Sequence, residues 1–183
     1  PRLVQADRAG LLRLNVSQVS DYTVRNTTLI LTAILVAVPA AAQIPTPASV
    51  LGFEPGADFH LATYEESVEY FQLLDASSDR ITMMRTGKTS EGRDWWIALI
   101  SSPENLASVE RYRDIADQLA HPAELSDAEA RSLSLEGKAI VDVNGGLHAS
   151  EVAGAQHTIQ LAYELVSDEN PRISAIRENV ITI

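Results

Sequence analysis

The sequence predicts an α/β fold, in which helices cover both faces of a mixed, mostly parallel sheet to give a three-layer sandwich. Segments with strand patterns alternate with segments of helical apolar periodicity from Thr63 onward, which is the order typical of α/β layers. Residues 139–143 are nearly all apolar, as expected for a strand that is covered on both faces. A second apolar run, at residues 179–183, predicts a last strand with exposed apolar edges, in a sheet that is incomplete at the C-terminus.

The first predicted elements are a helix and a β-hairpin. Residues 63–66 (Thr-Tyr-Glu-Glu) match the capping box, which predicts the start of a helix that extends to about Ser77. Strands are predicted at residues 81–86 and 95–101. The turn-rich residues 87–94 between them predict that these two strands form a hairpin.

The second half of the chain is predicted to contain four helices. Ser102 followed by proline is typical of a helix start and predicts one helix through about Leu119. Residues 126–129 (Ser-Asp-Ala-Glu) form another capping box, which predicts a short helix. Apolar residues recur at helical spacing over residues 151–166, and a short helix is predicted at residues 171–177 before the last strand.

Composition and charge exclude several classes of function. Hydrophobic residues make up 45% of the 183 residues, which is enough for a globular core. Residues 43–183 carry 10 Lys and Arg against 23 Asp and Glu, a net charge of −13. So acidic a body argues against nucleic-acid binding, which requires basic patches. The chain has no cysteine, and this excludes disulfides and thiolate catalysis within it.

Residues 24–42 have the parts of a secretory signal peptide in the expected order. Arg25 precedes an apolar run from Leu29 to Val38, and three alanines at residues 40–42 match the cleavage rule. The run is too short for a transmembrane helix, which needs about 20 residues. We therefore expect a secreted or periplasmic protein that has no stable membrane span after cleavage. A buried core helix is the alternative interpretation of this segment.

The position of the signal peptide determines how the neighbouring residues are interpreted. A signal peptide normally starts a protein, so residues 1–23 are interpreted as an upstream segment translated in error, with Val24 as the true start. Residues 43–62 are rich in proline near their beginning and are predicted to be a linker. Residues 63–183 are left as the folded domain.

A His-x-x-Glu pair follows the predicted strand at residues 139–143. Gly145 and Gly146 predict a tight turn, and His148 and Glu151 come next at the start of a helix. An imidazole nitrogen and a carboxylate oxygen both suit Zn²⁺, and α/β sheets place their sites at the carboxyl ends of strands. The alternative is a loop histidine beside a glutamate that favours the helix N-terminus through the helix dipole.

Two polar side chains precede the glycine turn. Asp142 and Asn144 lie two residues apart, so the alternation of a strand places both on the same face. Either side chain can hydrogen bond to His148 and orient its ring, as outer-shell groups do at metal sites. Asn144 is the preferred candidate for this hydrogen bond to His148.

Two motifs resemble those of the carboxypeptidase A-like zinc metallopeptidases. Residues 145–151 (Gly-Gly-Leu-His-Ala-Ser-Glu) resemble the zinc-binding segment of that family, and residues 87–93 (Gly-Lys-Thr-Ser-Glu-Gly-Arg) resemble its Gly-x-Ser-x-Glu-Gly-Arg hairpin. The resemblance implies that residues 63–183 are the N-terminal part of a catalytic domain. It implies that His148 and Glu151 are the first two ligands of one Zn²⁺ per complete domain, and that the third ligand and the catalytic glutamate lie beyond this chain.

The same resemblance implies a zinc metallopeptidase that hydrolyses peptides or proteins at their C-termini by metal-activated water, and the predicted signal peptide implies that it is exported. Ser150 stands where the animal digestive members carry Arg, so the substrate specificity is left open. Two alternatives remain: a zinc-dependent amidohydrolase acting on N-acyl amino acids, and a non-catalytic binding protein on a peptidase scaffold. With two ligands where a catalytic zinc normally takes three, this fragment alone is expected to be inactive.

Overall fold

The computed structural model describes residues 4–6, 12–14, 43–148 and 150–183. The chain divides into two compact units, Pro1–Ala42 and Gln43–Ile183. In the first unit, strands β1 (Val4–Ala6) and β2 (Leu12–Leu14) pair antiparallel. The predicted signal peptide lies outside the described residues, as does the rest of the predicted upstream segment.

The second unit alternates helices and strands, which confirms the predicted α/β class. Its described residues form seven α-helices and four strands. In chain order these are α1 (Pro47–Leu51), α2 (Tyr64–Ser77), β3 (Ile81–Lys88), β4 (Asp94–Ile100), α3 (Pro103–Ala107), α4 (Val109–Ala120), α5 (Asp127–Glu136), β5 (Ala139–Val141), α6 (Val152–Ser167), α7 (Pro171–Asn179) and β6 (Val180–Thr182). Within the described part of the chain, no helix combines the length and the apolar character that a membrane span requires.

The four strands of the second unit form one mixed sheet in the order β3-β4-β6-β5. β3 and β4 form the predicted antiparallel hairpin, with Ile81 opposite Ile100. β4 and β6 are also antiparallel, whereas β5 and β6 run parallel, with Ile140 opposite Ile181. The prediction of a mostly parallel sheet is therefore wrong for the described strands. Antiparallel neighbours need only a short turn, whereas a parallel pair needs a crossover, and here α6 and α7 form the crossover between β5 and β6.

β5 is an edge strand of this sheet, and its apolar side chains are half exposed. Ile140 and Val141 are 43% and 45% exposed, and Val143 just after the strand is 39% exposed. The prediction that this strand is covered on both faces is wrong for the described residues, because an apolar composition does not fix a strand's place in the sheet order. The last strand, β6, lies inside the sheet, and its Ile181 is buried. The predicted apolar edge therefore belongs to β5 and not to β6.

The core lies between α2, α6 and one face of the sheet. Tyr70 and Leu74 of α2 belong to one buried cluster with Ile159 and Val166 of α6, and all four are fully buried. β3 contributes its first residue to this cluster, and β4 contributes its last. Full burial of an apolar side chain of this size stabilises a fold by about 1.5–3 kcal/mol.

The segment predicted as a linker, residues 43–62, packs against this core. It contains α1, which begins at the buried Pro47, and three of its apolar residues contact the core cluster: Ile44, Leu51 and Phe53. The Tyr70 hydroxyl of α2 donates a hydrogen bond to the Pro45 carbonyl at 3.0 Å. These described residues are therefore part of the folded unit.

Capping residues begin two helices where the sequence predicts a helix start. Thr63 and Glu66 make both hydrogen bonds of a capping box at the start of α2. Ser126 and Glu129 make the same pair of hydrogen bonds at the start of α5. Both predictions depend on residues three positions apart, and both are confirmed.

The region predicted as a single helix after residue 102 forms two helices, α3 and α4, which meet at Ser108. The prediction of one helix is therefore wrong. Asn105 of α3 is buried, and its side-chain amide donates to Ser101 Oγ and to the Arg177 carbonyl, both at 3.0 Å. α3 is thus held by hydrogen bonds to a residue far along the chain, and apolar periodicity within the helix carries no information about that contact.

Two arginines hold the C-terminal end of α6. Arg177 is 5% exposed, and its Nη1 donates to the Leu165 carbonyl at 2.9 Å and to the Asp168 carbonyl at 2.6 Å. Arg80 Nη1 donates to the Val166 carbonyl at 3.0 Å. The last carbonyls of a helix have no partners within the helix, and the helix dipole favours cations at that end. The two arginines therefore anchor α6 at the end opposite the predicted site.

Candidate metal centre

The predicted site lies on the connection between β5 and α6. Residues 142–148 form an irregular loop after β5, and α6 begins shortly afterwards. Gly146 has a φ of 78°, a left-handed conformation that glycine adopts without steric cost. The loop therefore turns at the carboxyl end of an edge strand and brings His148 and Glu151 to the N-terminal end of α6.

His148 and Glu151 contact each other directly. His148 Nδ1 lies 2.7 Å from Glu151 Oε1. The His148 backbone N–H donates to Glu151 Oε2 at 3.0 Å, and the Glu151 N–H donates to the His148 carbonyl at 2.9 Å. These three contacts hold the imidazole and the carboxylate side by side, and Nδ1 is the ring atom that faces the carboxylate.

The pair is accessible to solvent, and its carboxylate is held in the charged form. The side chains of His148 and Glu151 are 71% and 49% exposed. Hydrogen bonds from the His148 side chain and backbone hold the pKa of Glu151 below its ordinary value. An exposed pair of this kind contributes little to stability. A charged, accessible carboxylate beside an imidazole is suited to binding a metal ion.

Asp142 and Asn144, the two residues predicted to orient the His148 ring, contact each other. Asn144 Nδ2 donates to Asp142 Oδ2 at 2.7 Å, and both side chains are exposed. Among the hydrogen bonds of the described residues, neither side chain reaches His148. Their predicted role in orienting the His148 ring stays a prediction.

The second motif of the sequence, residues 87–93, lies away from the His148–Glu151 pair in the sheet order. It forms the turn of the β3–β4 hairpin, where the Thr89 N–H donates to the Arg93 carbonyl at 2.8 Å. Tyr64 of α2 donates its hydroxyl hydrogen to the Asp94 carbonyl at 2.7 Å. β3 and β5 are the two edges of the sheet, so the hairpin and the predicted metal ligands belong to different edges. The hairpin contacts α2 and supports the fold.

Sequence reasoning missed the residues of α6 that contact the glycine turn. A Cβ atom on Gly145 would lie 2.4 Å from the Gly154 carbonyl oxygen and 2.4 Å from Thr158 Cγ2. The loop and the helix therefore approach more closely than a side chain would allow. The available signal was a glycine inside a predicted helix, which costs about 1 kcal/mol relative to alanine and so indicates a close contact.

Gln156 is a second residue that the sequence did not reveal. Its side chain is buried, its Oε1 accepts from the Ala62 N–H at 2.8 Å, and its Nε2 donates to the Ala62 carbonyl at 3.0 Å. This paired hydrogen bond joins α6 to the residue that precedes the α2 cap. The polar residue is buried because both of its polar groups are satisfied by one backbone unit.

A comparison with known protein families identifies the family to which the chain belongs. A sequence model described as zinc carboxypeptidase matches residues 68–183, which include both motifs of the sequence analysis. The chain belongs to this family. Membership indicates a hydrolase of the zinc metallopeptidase kind, which uses zinc and acts on peptides or proteins. No curated protein and no solved structure matches the chain.

The His148–Glu151 pair fits the metal that a zinc carboxypeptidase uses. Imidazole nitrogen and carboxylate oxygen are both established zinc donors. Nδ1 and Oε1 lie 2.7 Å apart and are open to solvent, so a single ion could contact both once it replaces the proton that the imidazole shares with the carboxylate. In the part of the chain that the structure describes, no three His, Cys, Asp or Glu side chains come together. The pair therefore offers two groups of the kinds that bind zinc, and their assignment as zinc ligands stays a prediction.

Proposed function

We propose that this chain carries the first part of the active site of an exported zinc carboxypeptidase, which removes residues from the C-termini of peptides. The observation that supports this best is the 2.7 Å contact between His148 Nδ1 and Glu151 Oε1, within the residues that match the family. The contact brings two zinc donors together at an exposed position, where a peptide could reach them.

In this proposal, His148 and Glu151 hold the zinc ion. When bound, the ion supplies Lewis-acid chemistry, which polarises a peptide carbonyl and lowers the pKa of a water molecule toward about 7. Glu151 does not act as the general base, because its carboxylate faces the ion. The general base and the third ligand are proposed to come from the remainder of the complete domain.

The exposed edge strand supports the proposal that the complete domain is larger and has three layers. Ile140 and Val141 of β5 are half exposed, and an exposed apolar edge promotes pairing with other chains. Natural folds cover such an edge with another element of the same chain. We propose that further elements of the complete domain cover β5 and its faces.

Export is proposed on the order of features in residues 24–42. The secreted product should begin near Gln43, because the three alanines that end the segment match the cleavage rule. N-terminal sequencing of the protein from the culture medium or periplasm tests this. A mature chain that retains Asp7 or Leu11 would refute the proposed start at Val24.

Zinc binding by the 183-residue chain tests the proposed ligands. Binding is expected to be weak, because two ligands are assigned where a catalytic zinc takes three. His148→Ala and Glu151→Ala should each abolish it in a calorimetric titration with zinc chloride. His157→Ala removes an exposed histidine of α6 and is the matched control, which should bind zinc as the unaltered chain does. Unchanged binding by both ligand variants would refute the assignment.

The reaction is tested with the full-length gene product, with and without a chelator. Release of the C-terminal residue from peptides, abolished by the chelator, is the expected result. Faster cleavage of N-acyl amino acids than of peptides would indicate an amidohydrolase instead. Zinc binding without turnover of either substrate would indicate a binding protein on a peptidase scaffold. The 183-residue chain alone is expected to show no turnover.

A further inference from the structure

The loop that carries His148 crosses α6 at a point where three glycines meet. Gly145 and Gly146 of the loop face Gly154, near the start of the helix. A Cβ atom on Gly154 would lie 2.8 Å from the Gly146 nitrogen, and a Cβ atom on Gly145 would lie 2.4 Å from the Gly154 carbonyl oxygen. Both distances are shorter than a Cβ atom tolerates from a backbone atom, so either side chain would push the loop and the helix apart.

This glycine crossing, formed by residues 145, 146 and 154, lies close to both proposed ligands. His148 follows the loop glycines within three residues, and Glu151 precedes Gly154 by three. A Cβ atom on Gly146 would lie 3.3 Å from the Glu151 carbonyl oxygen, so the loop also touches the backbone of a ligand. A shift of the loop along or away from α6 would therefore move the imidazole relative to the carboxylate.

The helix itself gives no reason for a glycine at position 154. Inside a helix, glycine is less favourable than alanine, because glycine loses more backbone freedom on folding. The close approach of the loop provides the reason. Gly154 is therefore explained by its contact with the loop, because a glycine there destabilises the helix but lets the loop backbone approach.

We infer that the glycine crossing positions His148 against Glu151, and that Gly145 and Gly154 are positioning residues for the zinc ion. This inference rests on the proposed function, because it concerns the same ion. The hydrogen bonds between His148 and Glu151 hold the pair together internally. The crossing instead holds the whole loop at a fixed distance from α6, and the loop is otherwise largely exposed.

Gly154→Ala in the full 183-residue chain tests this inference. Zinc chloride is titrated into the isotope-labelled chain while the His148 imidazole resonances are followed, and thermal unfolding is measured without metal. The zinc affinity should fall by at least about tenfold, the lower limit typical of changes to outer-shell groups. The unfolding midpoint should change little, because alanine favours the helix while its Cβ atom displaces an exposed loop.

Ala153→Gly is the matched control, one position earlier on the same turn and exposed. It should lower the unfolding midpoint, because glycine is a poor helix former, and should leave the zinc affinity unchanged. Gly154→Ala should therefore lower the zinc affinity but not the unfolding midpoint, whereas Ala153→Gly should lower the unfolding midpoint but not the zinc affinity. A merely structural role for Gly154 would make affinity follow stability in both variants.

Gly146→Ala is a second variant, to be used if Gly154→Ala does not fold; it brings a smaller clash with α6 but also strains the loop backbone, because Gly146 has a φ of 78°. Its Cβ atom would lie 3.1 Å from that of Ala155, and its zinc affinity should also fall. If the unaltered chain binds zinc and the folded glycine variant binds it equally well, the inference is overturned while the proposed function stands. If neither the unaltered chain nor Ala153→Gly binds zinc, the proposed function fails, and the inference fails with it.

Discussion

From its middle to its C-terminal end, α6 has the fully buried side chains of Ile159 and Val166, whereas at its N-terminal end Val152 is 43% exposed. The buried end is further held by Arg177, which donates to two backbone carbonyls. The exposed end carries Glu151, in contact with the proposed partner ligand. The difference teaches that one helix can both anchor the domain and present a proposed zinc ligand, because functional groups are commonly placed on loops and exposed ends that a rigid scaffold positions.

Removal of a buried apolar side chain from α6 should have the largest effect on stability. Ile159→Ala removes a fully buried side chain and should lower the free energy of unfolding by about 2–5 kcal/mol, measured by urea denaturation. Val152→Ala, at the exposed end of the same helix, should change it by about 0.5 kcal/mol or less. Equal losses of stability in the two variants would contradict the division of α6 into a buried part and an exposed end.

Removal of the buried guanidinium group should have the next largest effect. Arg177→Met leaves the carbonyls of Leu165 and Asp168 without their charged donor, at a cost of about 2–3 kcal/mol in the same denaturation experiment. Arg172→Met, at an exposed position of α7, is the matched control and should be nearly neutral. A comparable loss in the control would assign the effect to net charge and not to the hydrogen bonds.

Gln156 lies between the exposed N-terminal end of α6 and its buried part, and it is where the buried part begins. Gln156→Leu leaves the N–H and carbonyl of Ala62 without partners, so the free energy of unfolding should fall by about 1–2 kcal/mol. Gln160→Leu, one turn later, removes only an amide that bonds to the Glu164 carboxylate at an exposed position, and it should have less effect. The opposite ranking of the two variants would place the start of the anchored region further along the helix.

The smallest effect is expected at the salt bridge beside the buried end. A hydrogen bond from Arg80, at 2.7 Å, holds the pKa of Glu169 below its ordinary value of 4.5. A lowered pKa in the folded state stabilises the protein above the unfolded pKa, and this stabilisation is lost as the pH falls through the folded pKa. The unaltered chain should therefore slightly exceed Glu169→Gln in stability near neutral pH.

Urea midpoints of the unaltered chain and Glu169→Gln, measured at about pH 7 and about pH 3, check this prediction. The difference between the two chains should shrink at the lower pH. A difference that grows with acidification would contradict the assigned direction. Glu124→Gln, at another exposed carboxylate, controls for the loss of one negative charge.

Features set by neighbouring residues were predictable from the sequence. The capping boxes at Thr63 and Ser126 are confirmed, and the helix predicted at residues 151–166 is observed at Val152–Ser167. Capping and helical periodicity depend on side chains within about four positions of each other. The sequence contains all of that information without any knowledge of the fold.

Features set by distant residues were not predictable. Asn105 bonds to the backbone of Arg177, and the helix start signal at Ser102 predicted one helix where two are observed. Ile140 has the composition of a buried strand residue, but its strand lies at the edge of the sheet. The order of strands in a sheet depends on how all the strands pair with one another, so the sequence of one strand does not determine its position.

The candidate site also combines features that were predictable from the sequence with features that were not. His148 and Glu151 are three positions apart, so the sequence alone predicted them as two zinc donors at the start of a helix. The residues around them carry the family resemblance, which the family match confirms. The approach of Gly145 to Gly154 and the pairing of Gln156 with Ala62 arose only when the chain packed. The sequence determined which groups are available for chemistry, because chemistry belongs to side chains. Tertiary structure decided how closely the backbones approach, because that distance depends on packing between segments remote from one another.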